Sequence, residues 1–295
     1  MPKFEKLKES YDRYYRWLLI IPAVILALSL LQLGYSYYTT GDFIQKDTTL
    51  LGGTSITIFS EQEISVEDLE NFLSSRLSDF NLKELSDFRS GRQKAVIVES
   101  PREASELRPV LEEFLGYELD SENSSVESTG SALGESFYKQ LRLAIIISFI
   151  LMAVVVLIIF RALAPSFAVV ISAFADIMMT LAFVTLFEIK ISSAGITAIL
   201  MLIGYSVDSD IMLTTRLLKR RESTNKKMWD AFKTGITMTL TSIFAIAVAL
   251  FITQSFSEIL RQIFTVLIIG LSFDIMNTWI TNASILKWYL EVRKK

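Results

Sequence analysis

Four aspartates lie inside long apolar runs, where a charge is least welcome: Asp176, Asp208, Asp210 and Asp274. An ionised carboxylate at the centre of a bilayer costs about 2.5–3.5 kcal/mol on insertion scales, so a membrane segment keeps one for a purpose or pairs it. The chemistry open to such groups is narrow. A carboxylate takes and releases an ion, and each event changes the local charge. The chain has no histidine and no cysteine. Thiol nucleophiles, disulfides, zinc sites built on His or Cys and Ser-His-Asp triads are thereby excluded. Any proton carrier must be a carboxylate, helped by Lys, Tyr or water. No catalytic residue, metal site or cofactor is expected.

Asp176 falls near the middle of the third of six apolar stretches, and Asp274 about halfway along the sixth. Asp208 is deeper in the fourth than Asp210, which is close enough to Arg216 to lean towards the membrane interface. Two residues apart on a helix means about 200° around its axis, so these two cannot face one partner. Gly204, Asp208, Ile211 and Thr215 form one stripe; Ser206, Asp210 and Thr214 form another. Thr234, Thr237 and Thr241 line one face of the fifth stretch, and Asp274, Asn277, Thr278 and Thr281 one face of the sixth. Thr and Asn also serve membrane helices as plain packing contacts, and a buried Asp can be a passive interhelix hydrogen bond. The convergence of the aspartates with Thr237, Thr241, Asn277 and Arg216 reads instead as an ion path, with Asp208 taken as the coupling group of the fourth stretch.

The elements that must position these residues follow from composition. The chain is 51% hydrophobic with five prolines and a mean hydropathy of +0.42, too apolar for an ordinary soluble protein. A hydrocarbon core takes roughly 20 apolar residues per helix. Six stretches qualify: residues 17–37, 141–160, 165–187, 191–213, 231–253 and 259–289. The first is too long for a signal-peptide core and no small-x-small cleavage site follows it, so it is expected to stay as an anchor. Basic residues concentrate before the first stretch, at Arg161, from Arg216 to Lys233 and from Lys287 onwards. By the positive-inside rule both termini are then cytoplasmic.

Residues 39–138 would form an external domain, with 20 acidic against 8 basic residues. That balance suits a solvated surface and speaks against nucleic acid as a partner. Its pattern runs strand (54–59), Ser-capped helix (65–77), hairpin (82–89 and 94–100), helix (102–116) and a last strand (123–129). The order βαββαβ is that of a ferredoxin-like sandwich. The Asn123-Ser124-Ser125 sequon is read as incidental. The fold expected is an α-helical polytopic membrane protein of six transmembrane helices with an external α+β ferredoxin-like domain. Residues 1–38 hold the cytoplasmic N-terminus and first helix, and 139–295 a five-helix bundle with a cytoplasmic C-terminus.

Several runs together resemble the SecF family of protein-export membrane subunits, related to the resistance-nodulation-division superfamily. They are "FADIMMTLAF" (174–183) and "GITAILMLIGYSVDSDIMLTTRLLKRR" (195–221), with "FR" (160–161), "DTTLLGGTSITI" (47–58) and "SALGESF" (131–137). The resemblance covers nearly the whole chain, and "DIMNTWITNASILKWY" (274–289) is similar to the archaeal branch. Where bacterial members read Asn-Asp after the "GYS" element, this chain has Asp208-Ser209, with Asp210 one residue beyond. The resemblance implies a heterodimer with a SecD-like subunit in the cytoplasmic membrane. That pair would work with a SecY-type channel on a translocating polypeptide, driven by an ion (proton) gradient through intramembrane aspartates. Three rivals are weighed beside it. A half-size exporter of hydrophobic molecules would need a hydrophobic substrate cleft in its external domains, usually two per polypeptide, and this chain has one small acidic domain. An intramembrane aspartyl protease needs Gly-x-Gly-Asp, and this chain has Gly204-Tyr205-Ser206-Val207-Asp208. A scaffold of the export complex would use the aspartates only to fix helix register.

Overall fold

The computed structural model describes residues 11, 13–60, 63–77, 80–87, 90–218, 224–254 and 257–294. Lys3, Lys6, Lys8, Lys219, Arg220, Arg221 and Lys295, which weigh in the orientation argument above, lie outside the described residues. Among those described, six helices are long and apolar enough to cross a membrane: Arg13–Thr40, Leu133–Phe160, Leu163–Leu186, Ser193–Leu218, Asn225–Thr253 and Glu258–Arg293. The chain is a multi-pass membrane protein. In order, its elements are α1 (Ile20–Thr40), the single turn α2 (Thr48–Leu51), β1 (Gly53–Phe59), α3 (Val66–Ser74), β2 (Asn81–Ser86) and β3 (Gln93–Ser100). Then come α4 (Ala104–Leu115), β4 (Ser124–Thr129), α5 (Ser131–Phe160), α6 (Leu163–Leu186), α7 (Ser193–Leu218), α8 (Thr224–Thr253) and α9 (Glu258–Met276). A π-helical turn (Asn277–Asn282) carries α9 on into α10 (Ala283–Lys294).

The α+β domain is a four-stranded sheet in the order β2-β3-β1-β4, antiparallel throughout. That is the ferredoxin-like arrangement, and the strand order is what sequence could not supply. Alternation along β1 buries Thr54, Ile56 and Ile58. Ile56 and Ile58 meet Val96 and Val98 of β3 beneath Leu69 and Leu73 of α3 and Leu107 and Leu111 of α4. Ser65 caps α3 by accepting from the Asp68 N–H at 3.2 Å, the signal that placed this helix from sequence. The boundary drawn at residues 138 and 139 falls inside α5, which already starts at Ser131.

In the bundle, α6 and α7 are central and more than half buried, whereas the spans of α1, α5 and α8 are mostly exposed. The inner face of α6 is built from small side chains, Ser166, Ala168, Ser172, Ala173 and Ala175, which let neighbours approach closely. Pro165 sits in the first turn of α6, where a missing N–H breaks no intrahelical bond. Two crossings depend on glycine. A Cβ on Gly270 of α9 would lie 2.4 Å from Leu202 Cδ2 of α7, and one on Gly235 of α8 would lie 2.3 Å from Trp279 Cζ2.

A short joint ties the domain to the bundle. The Ile191 N–H donates to the Gln45 carbonyl at 2.7 Å, and the Asp47 N–H donates to the Ile191 carbonyl at 3.0 Å. Lys83 of β2 reaches Glu99 of β3 at 2.7 Å, Glu258 at the start of α9 at 3.4 Å and Asp47 at 3.9 Å. Gln262 of α9 caps the start of α7, accepting from the Ser192 hydroxyl and from the Gly195 N–H, while its amide donates to the Lys190 carbonyl.

Candidate ion-coupling site

Three of the four aspartates meet in the middle of the bundle. Asp176 and Asp210 are fully buried and Asp274 very nearly so. They come from α6, α7 and α9, so the cluster reports the mutual placement of three helices. Both oxygens of Asp176 are engaged: the Ser206 hydroxyl of α7 donates at 2.5 Å, and the Asn277 amide donates at 2.7 Å. Asp274 accepts from Thr278 at 3.1 Å and lies 3.1–3.2 Å from the Ser209 hydroxyl of α7. Asp210 Oδ1 accepts from the Asn282 amide at 2.7 Å and from the Ser172 hydroxyl of α6 at 3.3 Å. Among the described residues no Lys or Arg pairs with any of the three carboxylates. A charge here has no counter-charge supplied by the described residues.

The Ser209 hydroxyl can read the state of this cluster. It has one hydrogen and three acceptors in reach, namely both Asp274 oxygens and the Ser206 carbonyl at 3.0 Å. It serves one of them at a time. With Asp274 ionised, the hydrogen belongs on the carboxylate. With Asp274 protonated, the acid donates to Ser209 and the hydroxyl turns to its own helix. The π-helical turn also belongs to the site, since it contributes Asn277, Thr278 and Asn282, each fully buried. A widened turn of this kind frequently marks a functional segment in a longer helix.

The fourth-span expectation is reversed. Asp208, taken from sequence as the deeper carboxylate, is exposed on the outer side of α7 with Gly204 and Tyr205. Asp210 is the buried one. Depth along a span says nothing about which side looks inward. Here the inward side is marked by Ser206, Ser209 and Asp210, which are buried against α6 and α9. Arg216 does not pair with Asp210; it donates to the Asp230 carbonyl at 3.1 Å and to Thr234 at 2.9 Å, holding the start of α8. Thr237 and Thr241 also stay away from the cluster. Both are exposed, and their hydroxyls return to the carbonyls of Lys233 and Thr237 one turn back. Asn277 is where the polar track placed it. Sequence reasoning missed Ser172 and Ser209 as partners; Ser172 had a signal, one turn before Asp176 on the same face.

The architecture therefore defines a six-helix membrane protein that buries a carboxylate cluster and carries a ferredoxin-like domain. The chain belongs to the SecD/SecF family of protein-export membrane proteins: the family model "Protein export membrane protein SecD/SecF, C-terminal" matches residues 110–292. It is 37% identical over 290 residues to the protein-export membrane protein SecF of Methanolacinia petrolearia, covering 96% of this chain and 98% of that one. To SecF of Methanocaldococcus jannaschii it is 38% identical over 288 residues, covering 95% and 98%. Among solved structures it superposes on SecDF of Thermus thermophilus, described as a translocon-associated membrane protein, with a TM-score of 0.75 at 20% identity. That likeness, which is one of fold, takes in 95% of this chain and 38% of the other.

Proposed function

We propose that this chain promotes outward movement of a translocating polypeptide as half of a heterodimer with a SecD-like subunit. The pair works beside a SecY-type channel and is driven by an ion gradient acting on Asp176, Asp210 and Asp274. The observation that carries the reading is the cluster itself: three carboxylates on three helices, linked through Ser and Asn side chains, with no cation from the described chain. Loading or releasing one charge there changes which hydrogen bonds α6, α7 and α9 can make to each other, and so biases their packing. One elementary charge crossing the membrane potential supplies ~2.3 kcal/mol per 100 mV. The joint at Lys83 and Glu258 links α9, which holds Asp274, to the α+β domain, where the polypeptide would be met.

The distribution of basic residues supports cytoplasmic termini and an external domain at residues 39–138, in the cytoplasmic membrane. Asp208 has its own part in this reading. An exposed carboxylate on the outside of α7 is costly against lipid, and that face suits a partner helix of the second subunit. Full hydrogen bonding of Asp176 is the one feature that favours a purely structural scaffold.

The test compares export rates with and without an uncoupler at matched membrane levels. Asp176→Asn and Asp210→Asn should fold, join the partner and lose the gradient-stimulated component, a fall of up to roughly 50-fold for one charge at 100 mV. Wild-type kinetics in both would leave the scaffold. Since the chain lacks cysteine, a single cysteine introduced at Ser90 should react with an impermeant maleimide from outside; protection there would reverse the orientation.

A further inference from the structure

Trp279 is buried, and its indole Nε1 meets no hydrogen-bond partner among the described residues. An indole N–H only donates, and a buried tryptophan ordinarily finds an acceptor for it. The ring lines a slot of about 180 Å³ between the start of the first span, the first turns of α8 and the π-helical turn. Trp229, Trp279 and Ala283 are buried in its floor, while Leu18, Phe232 and Ile280 are half-buried and form its mouth.

Its wall is aromatic and packed edge to face. Tyr11 meets Trp229 with ring centroids 5.9 Å apart, Trp229 meets Phe232 at 5.4 Å, and Phe232 meets Trp279 at 5.2 Å. Rings braced against each other in series hold the shape of the slot.

Size and charge narrow what fits there. Sites for drug-sized molecules measure about 300–1,000 Å³, so this slot takes only a thin apolar body. Its mouth lies on a membrane-spanning surface, where the apolar body at hand is an acyl chain. Charge then selects among lipids. The first turns of α8 carry Lys226, Lys227 and Lys233 against Asp230, and Arg13 stands exposed just after Tyr11. Basic pockets between spans on the cytoplasmic side suit anionic head groups. The glycerol oxygens at the root of the chain can accept from the indole N–H while the phosphate meets the lysines.

We propose that this slot binds one anionic phospholipid, with part of an acyl chain among the aromatic rings and the phosphate at Lys226 and Lys227. The proposal goes beyond the export reading and takes from it only that this end of the bundle faces the cytoplasm. A lipid seated there adds to a clasp that the chain already makes. The Tyr11 and Ser284 hydroxyls share a hydrogen bond at 3.0 Å, and Tyr15 donates to Glu291 at 2.5 Å, tying the start of the first span to α10.

The test uses the full chain in nanodiscs of phosphatidylcholine that carry a rising fraction of a phospholipid brominated on its acyl chains. Trp17 and Trp288, both exposed, are first changed to phenylalanine, which leaves Trp229 and Trp279 as the emitting tryptophans. Bromine quenches an indole on contact. Brominated phosphatidylglycerol should half-quench at a mole fraction roughly 5-fold below that of brominated phosphatidylcholine for each lysine engaged. Lys226→Gln and Lys227→Gln should each remove one such factor. Ala283→Leu fills the floor and should leave the two lipids alike. Trp279→Phe keeps a ring without the donor, and should raise the phosphatidylglycerol fraction needed several-fold, with Trp229 as reporter. Equal quenching by the two lipids before any of these changes would mean surrounding lipid only and overturn the site. A preference that persists unchanged in both lysine variants would do the same, even if Ala283→Leu fails to fold. Quenching by neither lipid would show that protein covers the slot, and would also sink the proposal. The lipid reaches both leaflets of the disc, so this result stands apart from the maleimide test at Ser90, which decides orientation alone.

Discussion

The joint and the bundle core both bury carboxylates, and among the described residues only the joint brings a cation of its own. At the joint, Glu99, Asp47 and Glu258 surround Lys83, and Arg261 adds a second positive charge on Glu258. Burial works to lower the Lys83 pKa, yet Asp47 and Glu99 together hold it above the usual lysine range. A folded pKa raised in this way contributes stability that is complete below the unfolded value, near 10.4, and is lost only as pH rises through the folded one. The contribution of Lys83 itself is therefore constant across the ordinary pH range. In the core, Asp176, Asp210 and Asp274 have hydroxyls and amides around them and no basic residue among those described. The same side chain has a cation beside it at the joint and, among the described residues, none in the core.

The largest effect should come from breaking the joint. Lys83→Met leaves three acids without their common partner, and stranding a buried charge costs about 3–5 kcal/mol. With 18% of the lysine side chain still reached by solvent, the loss should fall near the lower end, roughly 3 kcal/mol. Thermal melting reads it directly, and the α+β domain should become sensitive to limited proteolysis near Asp47. Unchanged melting would mean that the joint is held by the Gln45–Ile191 backbone bonds and not by charge.

Neutralising a core carboxylate should do the reverse. Asp274→Asn strands no cation, and its amide can still donate to Ser209 and accept from Thr278. Stability should hold or rise by about 1 kcal/mol, while gradient-stimulated export falls. A destabilisation as large as that of Lys83→Met would erase the distinction between the two clusters and make Asp274 a strut.

Much of the frame was legible in the sequence, for a simple reason: it is written in periodicities. The six spans come from apolar length alone. The strands and helices of the domain come from alternation and a Ser cap, with ends that differ by up to three residues. The strand order β2-β3-β1-β4 is a tertiary property, which no local pattern encodes. That carboxylates lie inside apolar spans was legible, but which of them faces inward was not. Four aspartates in apolar runs mark a candidate site, yet which of Asp208 and Asp210 faces inward depends on the rotation of α7. That rotation is set by small contacts such as Ser206 on Asp176 and Gly270 against Leu202. The widened turn at Asn277–Asn282 gave no sequence signal at all, and it is what brings Asn282 onto Asp210.

The smallest effect should come from the threonine stripe that looked, in sequence, like part of the ion path. Thr241 is exposed, and its hydroxyl donates at 2.6 Å to the Thr237 carbonyl on its own helix. That carbonyl already accepts the helical N–H, so the hydroxyl satisfies itself and nothing depends on it. Thr241→Val keeps the branched shape and the χ1 preference. Stability should stay within about 0.5 kcal/mol of the parent, as for other substitutions made away from a packed contact. Export should be unaffected, with or without an uncoupler. Thr237→Val should behave likewise, since its hydroxyl returns to the Lys233 carbonyl at 2.8 Å. A clear export defect in either variant, at normal membrane level, would show that the outer face of α8 is occupied in the assembled complex. The division between an inert stripe and a responsive core would then have to be redrawn around the partner subunit.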